Sequence, residues 1–198
     1  MPDAIMDIRE FPKGIDERLE ELSRSRTQLL QEIEAAKTVG ESGSLGSNAW
    51  SVAEVVYHLH LSEKSIARGL KKALDSTSRS PAVCSEQLRA EWELIRKLIG
   101  TRRAKVQAPP RVVPANPPDL ADGVELLRQS RQQLLDAVQN ATYDDLLSVS
   151  MPHPFQAVGT LTGAGWLSVV AYHELRHAEQ IRELSSARKS QSVQPTEA

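Results

Sequence analysis

His173 and His177 stand four residues apart in the stretch His173-Glu174-Leu175-Arg176-His177. On a helix this spacing turns the second side chain about 40° from the first, so both rings leave one face. Gln180 lies three residues beyond His177 and continues the stripe, while Trp166, Val169 and Val170 extend it into apolar positions. Neutral imidazole nitrogens at this spacing chelate a divalent transition metal. Two buried imidazoles one turn apart repel when both are charged, and a shared cation removes the conflict. His58 sits within a second apolar stripe, Val52, Val55, Val56, Leu59, Ile66, Leu70 and Leu74. Taken alone it reads as a core histidine bonded to a backbone carbonyl. Beside the pair it becomes a third nitrogen. Three protein nitrogens and an open position are the form of a catalytic metal site, whereas structural zinc takes four closed ligands, commonly cysteines. His60, two residues after His58, points well round the helix from it.

The five residues from His173 to His177 also match H-E-x-x-H, in which Glu174 is the general base of a zinc metalloprotease. The context opposes that reading. Only 21 residues follow His177, and Glu197 is the one carboxylate offered for a third ligand. No upstream edge strand is present to hold a peptide.

The histidines need helices to carry them. Apolar residues at helical spacing from Ile15 to Ile33 predict a helix over about 16–37, started near Asp16 and stopped by the glycines from 40 to 46. Ser51 and Glu54 form a capping box, with Trp50 and Val55 as a hydrophobic staple, opening a helix that runs to about Leu74. Residues 85–100 predict a shorter helix. Five prolines, Pro109, Pro110, Pro114, Pro117 and Pro118, then mark a crossover with no regular structure. The third long helix starts near Asp119 and passes Val138. A loop over 140–154 follows, and the last helix begins with Thr162 as N-cap and ends near Leu184. Residues 1–14 read as an arm, 15–184 as the domain, and the polar stretch 185–198 as a disordered tail. No strand pattern is visible. The expected fold is all-α: a four-helix bundle with a long crossover and an extra short helix.

Composition narrows the function. The 198 residues carry a net charge of −2 and only 4% aromatics, which makes no case for nucleic acid or an anionic membrane. Cys84 is the single cysteine, so no intramolecular disulfide forms; it lies in a turn-like segment without a histidine nearby and makes a poor nucleophile. The N-terminus is not a signal peptide and no stretch is apolar for the length of a bilayer. A cytoplasmic protein is expected. His153, ahead of Pro154, reads as a loop-packing residue, and Arg176 points away from His173 towards an ion pair.

The segment from His153 to Thr162, followed by Trp166-Leu167 and His173 to Ile181, resembles the C-terminal half of the DinB-like (YfiT-like) superfamily. The stretch Trp50-Ser51-Val52-Ala53-Glu54-Val55-Val56-Tyr57-His58-Leu59 resembles that family's second helix. The resemblance spans roughly residues 16 to 184. It implies an up-down-down-up bundle with His58, His173 and His177 as metal ligands, the metal being most often zinc or nickel, with iron, manganese or copper as alternatives. His60 matches no ligand position. Glu54 and Gln180 face the same way as the ligands and either orient them or are solvated polar positions. The insertion at 85–118 is longer than a minimal member needs. Characterised relatives imply a low-molecular-weight-thiol S-transferase or isomerase; a small-molecule hydrolase is the other enzymatic reading. The non-enzymatic alternative is a stress-related dimer whose metal site is structural or vestigial. A homodimer is expected under either.

Overall fold

The long apolar stripes become four long helices packed side by side in one bundle. The computed structural model describes residues 11–38, 50–80, 83–102 and 107–192. In chain order come α1 (Ile15–Lys37), α2 (Val52–Asp75), α3 (Ser85–Leu98), a 3-10 turn (Pro110–Val112), α4 (Leu120–Val138), α5 (Tyr143–Ser148), β1 (Ser150–Pro152), β2 (Thr160–Thr162) and α6 (Gly163–Ser192).

Cross-helix contacts set the directions. Along α2 from its N-terminus, Val56 meets Gly123, His60 bonds the Leu126 carbonyl at 2.8 Å, and Glu63 accepts from Ser130 at 2.8 Å. Both numbers rise together, so α2 and α4 are parallel. Likewise Arg18 reaches Ser168 and Ser25 reaches Glu174 at 2.6 Å, which makes α1 and α6 parallel. Arg26 bonds the Leu127 carbonyl and Arg131 the Leu22 carbonyl, so α1 opposes α4. The order is up-down-down-up, as the resemblance implies. Two parallel neighbours in succession need a connection as long as the bundle, and residues 76–119 supply it.

Local sequence accounts for several of the helix starts. Ser51 Oγ accepts from the Glu54 N–H at 3.2 Å while the Glu54 carboxylate accepts from the Ser51 N–H at 2.7 Å, the expected capping box. Thr162 Oγ1 accepts from the Gly165 N–H at 2.9 Å and caps α6. The cap of α1 is Gly14, with Asp16 and Glu17 inside its first turn. Three features depart from the sequence reading. The loop over 140–154 contains α5, opened by a capping box between Thr142 and Asp145. β1 and β2 pair antiparallel, Met151 opposite Leu161, each strand being three residues long. And α6 continues to Ser192, past the expected end near 184. The arm over 1–10, the stop at 40–46 and the tail from 193 lie outside the described residues; Phe11 sits edge-on to Trp92 with centroids 6.0 Å apart.

The core is divided. One apolar cluster includes Leu22, Leu70, Leu134 and Val170, the other Leu29, Leu59, Leu127 and Ala178. Between them lies a polar layer. Arg26 donates to Glu63 at 2.9 Å and to Glu174 at 2.6 Å; Arg131 donates to Glu63 at 2.5 Å and lies 3.0 Å from Glu174. Ser25 and Ser130 add hydroxyl donors to the two carboxylates. Two positive and two negative groups, one from each long helix, thus close a neutral ring inside the bundle. Coulomb attraction in this low-dielectric setting offsets the cost of removing the charges from water only while the ring stays complete.

Candidate metal centre

His58 on α2 and His173 and His177 on α6 meet in the upper part of the bundle. Opposed helices with His58 and His177 at the same level make this possible. Nε2 of His173 lies 3.1 Å from Nε2 of His58 and 3.0 Å from Nε2 of His177. The three donor atoms lie within 4.8 Å of one another. Three nitrogens at zinc-like distances around a tetrahedral ion are about 3.3 Å apart, so the cluster has the size of a chelate.

The outer nitrogens show why the inner ones converge. His58 Nδ1–H donates to the Val112 carbonyl at 2.7 Å, and His177 Nδ1–H to Gln180 Oε1 at 2.8 Å. A carbonyl oxygen only accepts, so each Nδ1 carries the proton and each Nε2 keeps a lone pair directed at the cluster. Trp50 lies against His58 with centroids 4.7 Å apart and holds the ring laterally. Burial pushes the pKa of all three down; for His173 and His177 the fall is large, and the neighbouring imidazoles add to it. The cluster is therefore neutral near pH 7, the form a metal ligand requires.

The remaining candidates separate cleanly. His60 is buried and bonds the Leu126 carbonyl, with Tyr57 stacked on it at 5.9 Å, so it is a core histidine outside the cluster. Gln180 orients a cluster member; Glu54 serves the α2 capping box instead. His153 Nδ1 accepts from the Phe155 N–H at 3.1 Å and its ring stacks on Trp166, a loop-packing role. The charge of Glu179 acts on the half-buried Arg176 against that of Arg102, and Arg102 pairs with Glu183 at 2.9 Å. Cys84 is exposed at the start of α3.

Residues 41–181 match the sequence model of the DinB superfamily. The chain belongs to the DinB superfamily. A curated relative, the uncharacterised protein YuaE of Bacillus subtilis (strain 168), is 29% identical over 139 residues, 68% of this chain and 76% of YuaE. The crystal structure of TT2238, a four-helix bundle protein, is 25% identical with a TM-score of 0.47, covering 84% of this chain and 96% of that one. In this DinB superfamily chain the glutamate of the H-E-x-x-H match has another task. Glu174 follows His173 by one residue, about 100° round the helix. Its carboxylate is 2% exposed and engaged by Ser25 and Arg26, turned into the polar layer and not towards a cluster-bound water.

Sequence reasoning missed two supports of the site. The first is the Val112 carbonyl, delivered by the proline-rich crossover. Any residue type offers a carbonyl, so no side chain marks it. The second is the polar layer, which did leave a signal: Glu63 interrupts the apolar stripe between Leu59 and Leu70, as Ser130 does between Leu127 and Leu134. Matched interruptions on separate helices indicate buried polar partners.

Proposed function

We propose that this DinB superfamily protein is a divalent-transition-metal enzyme acting on a small molecule, with zinc or nickel held by His58, His173 and His177. The observation that carries it is the convergence of three neutral Nε2 atoms, two of them with the opposite nitrogen anchored to oxygen. A metal ion there supplies Lewis acidity and lowers the pKa of a thiol or water that binds it. The chain keeps three nitrogens and no fourth ligand in the cluster among the described residues, which suits an open position. The crossover carrying Val112 also walls a groove of about 630 Å³, with Pro154 and Phe155 opposite. Its lining holds no charged side chain and none of the three histidines, so it offers a place for an uncharged substrate body beside the cluster and not for the reacting group. A low-molecular-weight thiol as co-substrate makes the reaction an S-transfer; water in its place makes it a hydrolysis.

The deciding test is elemental analysis of untagged protein beside His58→Ala and His173→Ala. Near-stoichiometric metal in the wild type and its loss in both variants is expected, followed by thiol-dependent turnover of small electrophiles. Wild-type protein that takes up neither nickel nor zinc on reconstitution overturns the metal reading. Metal binding without turnover of any thiol or ester panel leaves the non-enzymatic bundle as the better description.

A further inference from the structure

Two of the three cluster histidines have their outer nitrogens on oxygen acceptors, whereas the close polar contacts of His173 among the described residues all lie at Nε2, against the Nε2 atoms of the other two rings. His173 also lines a cavity of about 10 Å³ between α2 and α6, together with Leu59, Glu63, Ile66, Val170 and Glu174. That is the volume of one water, and a buried water needs two to four polar partners. Two of its lining residues carry carboxylates that are not saturated. Glu63 Oε2 accepts from Arg26 and Ser130, and Glu174 Oε2 accepts from Ser25 and pairs with Arg131. Glu63 Oε1 accepts from Arg131 alone and Glu174 Oε1 from Arg26 alone. Each carboxylate oxygen offers about two lone-pair sites, so one remains on each Oε1.

We propose that the cavity is a water site and that its water joins His173 to the polar layer, accepting from Nδ1–H and donating to Glu63 Oε1 and Glu174 Oε1. The water then makes three hydrogen bonds, the usual number for a buried one. His173 is held in the same tautomer as His58 and His177, and all three Nε2 atoms direct lone pairs at one point. Glu63 and Glu174 become positioning residues that act on His173 through the water. Since the ring of charges draws on every long helix, the packing of the whole bundle is transmitted to the third nitrogen of the cluster. The consequence for metal affinity rests on the metal reading above; the water itself does not.

The test combines a high-resolution crystal structure of the metal-free and zinc-loaded chain, ¹⁵N NMR of the His173 tautomer in the zinc form, and Val170→Ile. Expected are an ordered water about 3 Å from His173 Nδ1 in both crystal forms, and a protonated Nδ1. Val170→Ile, which adds a methylene to the cavity wall, is expected to weaken zinc binding about tenfold to a hundredfold and to lower the metal-free thermal midpoint, because His173 and the two carboxylates lose the water that satisfies them. No water at the site, an unprotonated Nδ1 in the zinc form, or wild-type zinc affinity in a folded Val170→Ile variant overturns the proposal. If Val170→Ile does not fold, the wild-type crystal and NMR results decide. If the wild type binds neither zinc nor nickel, the metal reading falls, and the metal-free crystal structure still decides the water.

Discussion

His58 donates to a backbone carbonyl and His177 to a side-chain amide, so the two anchors respond differently to mutation. No substitution deletes the Val112 carbonyl, but Gln180→Ala removes the acceptor of His177 Nδ1. Freed of it, the ring can rotate or change tautomer, and the lone pair aimed at the cluster is lost part of the time. Competition titration is expected to show metal affinity lowered about tenfold to a hundredfold, with little change in the melting temperature of the metal-free protein. His60→Ala should do the reverse. It removes a buried hydrogen bond and packing against Tyr57, costing about 1–3 kcal/mol in urea unfolding, and leaves metal stoichiometry at the wild-type level. The distinction between His58 and His60 was legible in the sequence, because two residues along a helix reverse the direction of a side chain.

At the scale of elements, α3 turns out to hold the start of α6. Glu91 Oε1 accepts from the Thr162 N–H at 3.0 Å and from the Thr162 hydroxyl at 2.9 Å, while the same hydroxyl caps Gly165. Burial raises the pKa of Glu91, opposed by those donors. The approach is close enough that a Cβ on Gly165 would stand 1.6 Å from Glu91 Oε1. Gly165→Ala must therefore push the carboxylate out of its place, and a loss of about 1–3 kcal/mol is expected in urea unfolding, with metal uptake retained because His173 lies two turns further on. Thr162 as N-cap was readable from its residue type. Its partnership with Glu91 was not, because 71 residues separate them. The hairpin of β1 and β2 escaped for a related reason: three-residue strands are shorter than any alternation can show.

At the scale of the molecule, the polar layer and the buried imidazoles make stability conditional. Glu63→Ala leaves Arg26 and Arg131 sharing one carboxylate, and a loss of about 3–5 kcal/mol is expected, read as a fall in the denaturant midpoint. The pH dependence follows from His58, His60, His153, His173 and His177, whose folded pKa values all lie below 6.5 because burial disfavours the charged ring. As pH falls through 6.5 the unfolded chain takes up protons that the folded one refuses, so stability is full above that value and declines below it. Each histidine adds up to about 1.4 kcal/mol per pH unit to the slope. Glu91, with its raised pKa, works in the opposite sense as one group against five. Denaturation of the metal-free protein at successively lower pH should show a steady loss below 6.5; a flat profile there contradicts neutral buried imidazoles. No helix among the described residues is long and apolar enough to cross a membrane. Leu30 and Val113 are the large apolar side chains exposed among them, so the homodimer expected from the sequence finds little exposed apolar surface on the described residues. Sedimentation that shows only monomer at micromolar concentration refutes it.

The sequence by itself determined the faces. Helical periodicity is local, so the spacing of His173, His177 and Gln180, and the place of His58 among the apolar residues of α2, were set before any helix met another. What the tertiary structure decided was the company those faces keep. Opposed directions of α2 and α6 bring His58 level with His177, and a crossover 54 residues downstream of His58 brings it the Val112 carbonyl. Interruptions that look like isolated defects on single helices close into one neutral ring only when all four helices are in register. Helix geometry fixes direction over a few residues, whereas partner choice depends on packing between segments far apart in the chain, and a carbonyl or a matched charge carries no mark of its distant partner.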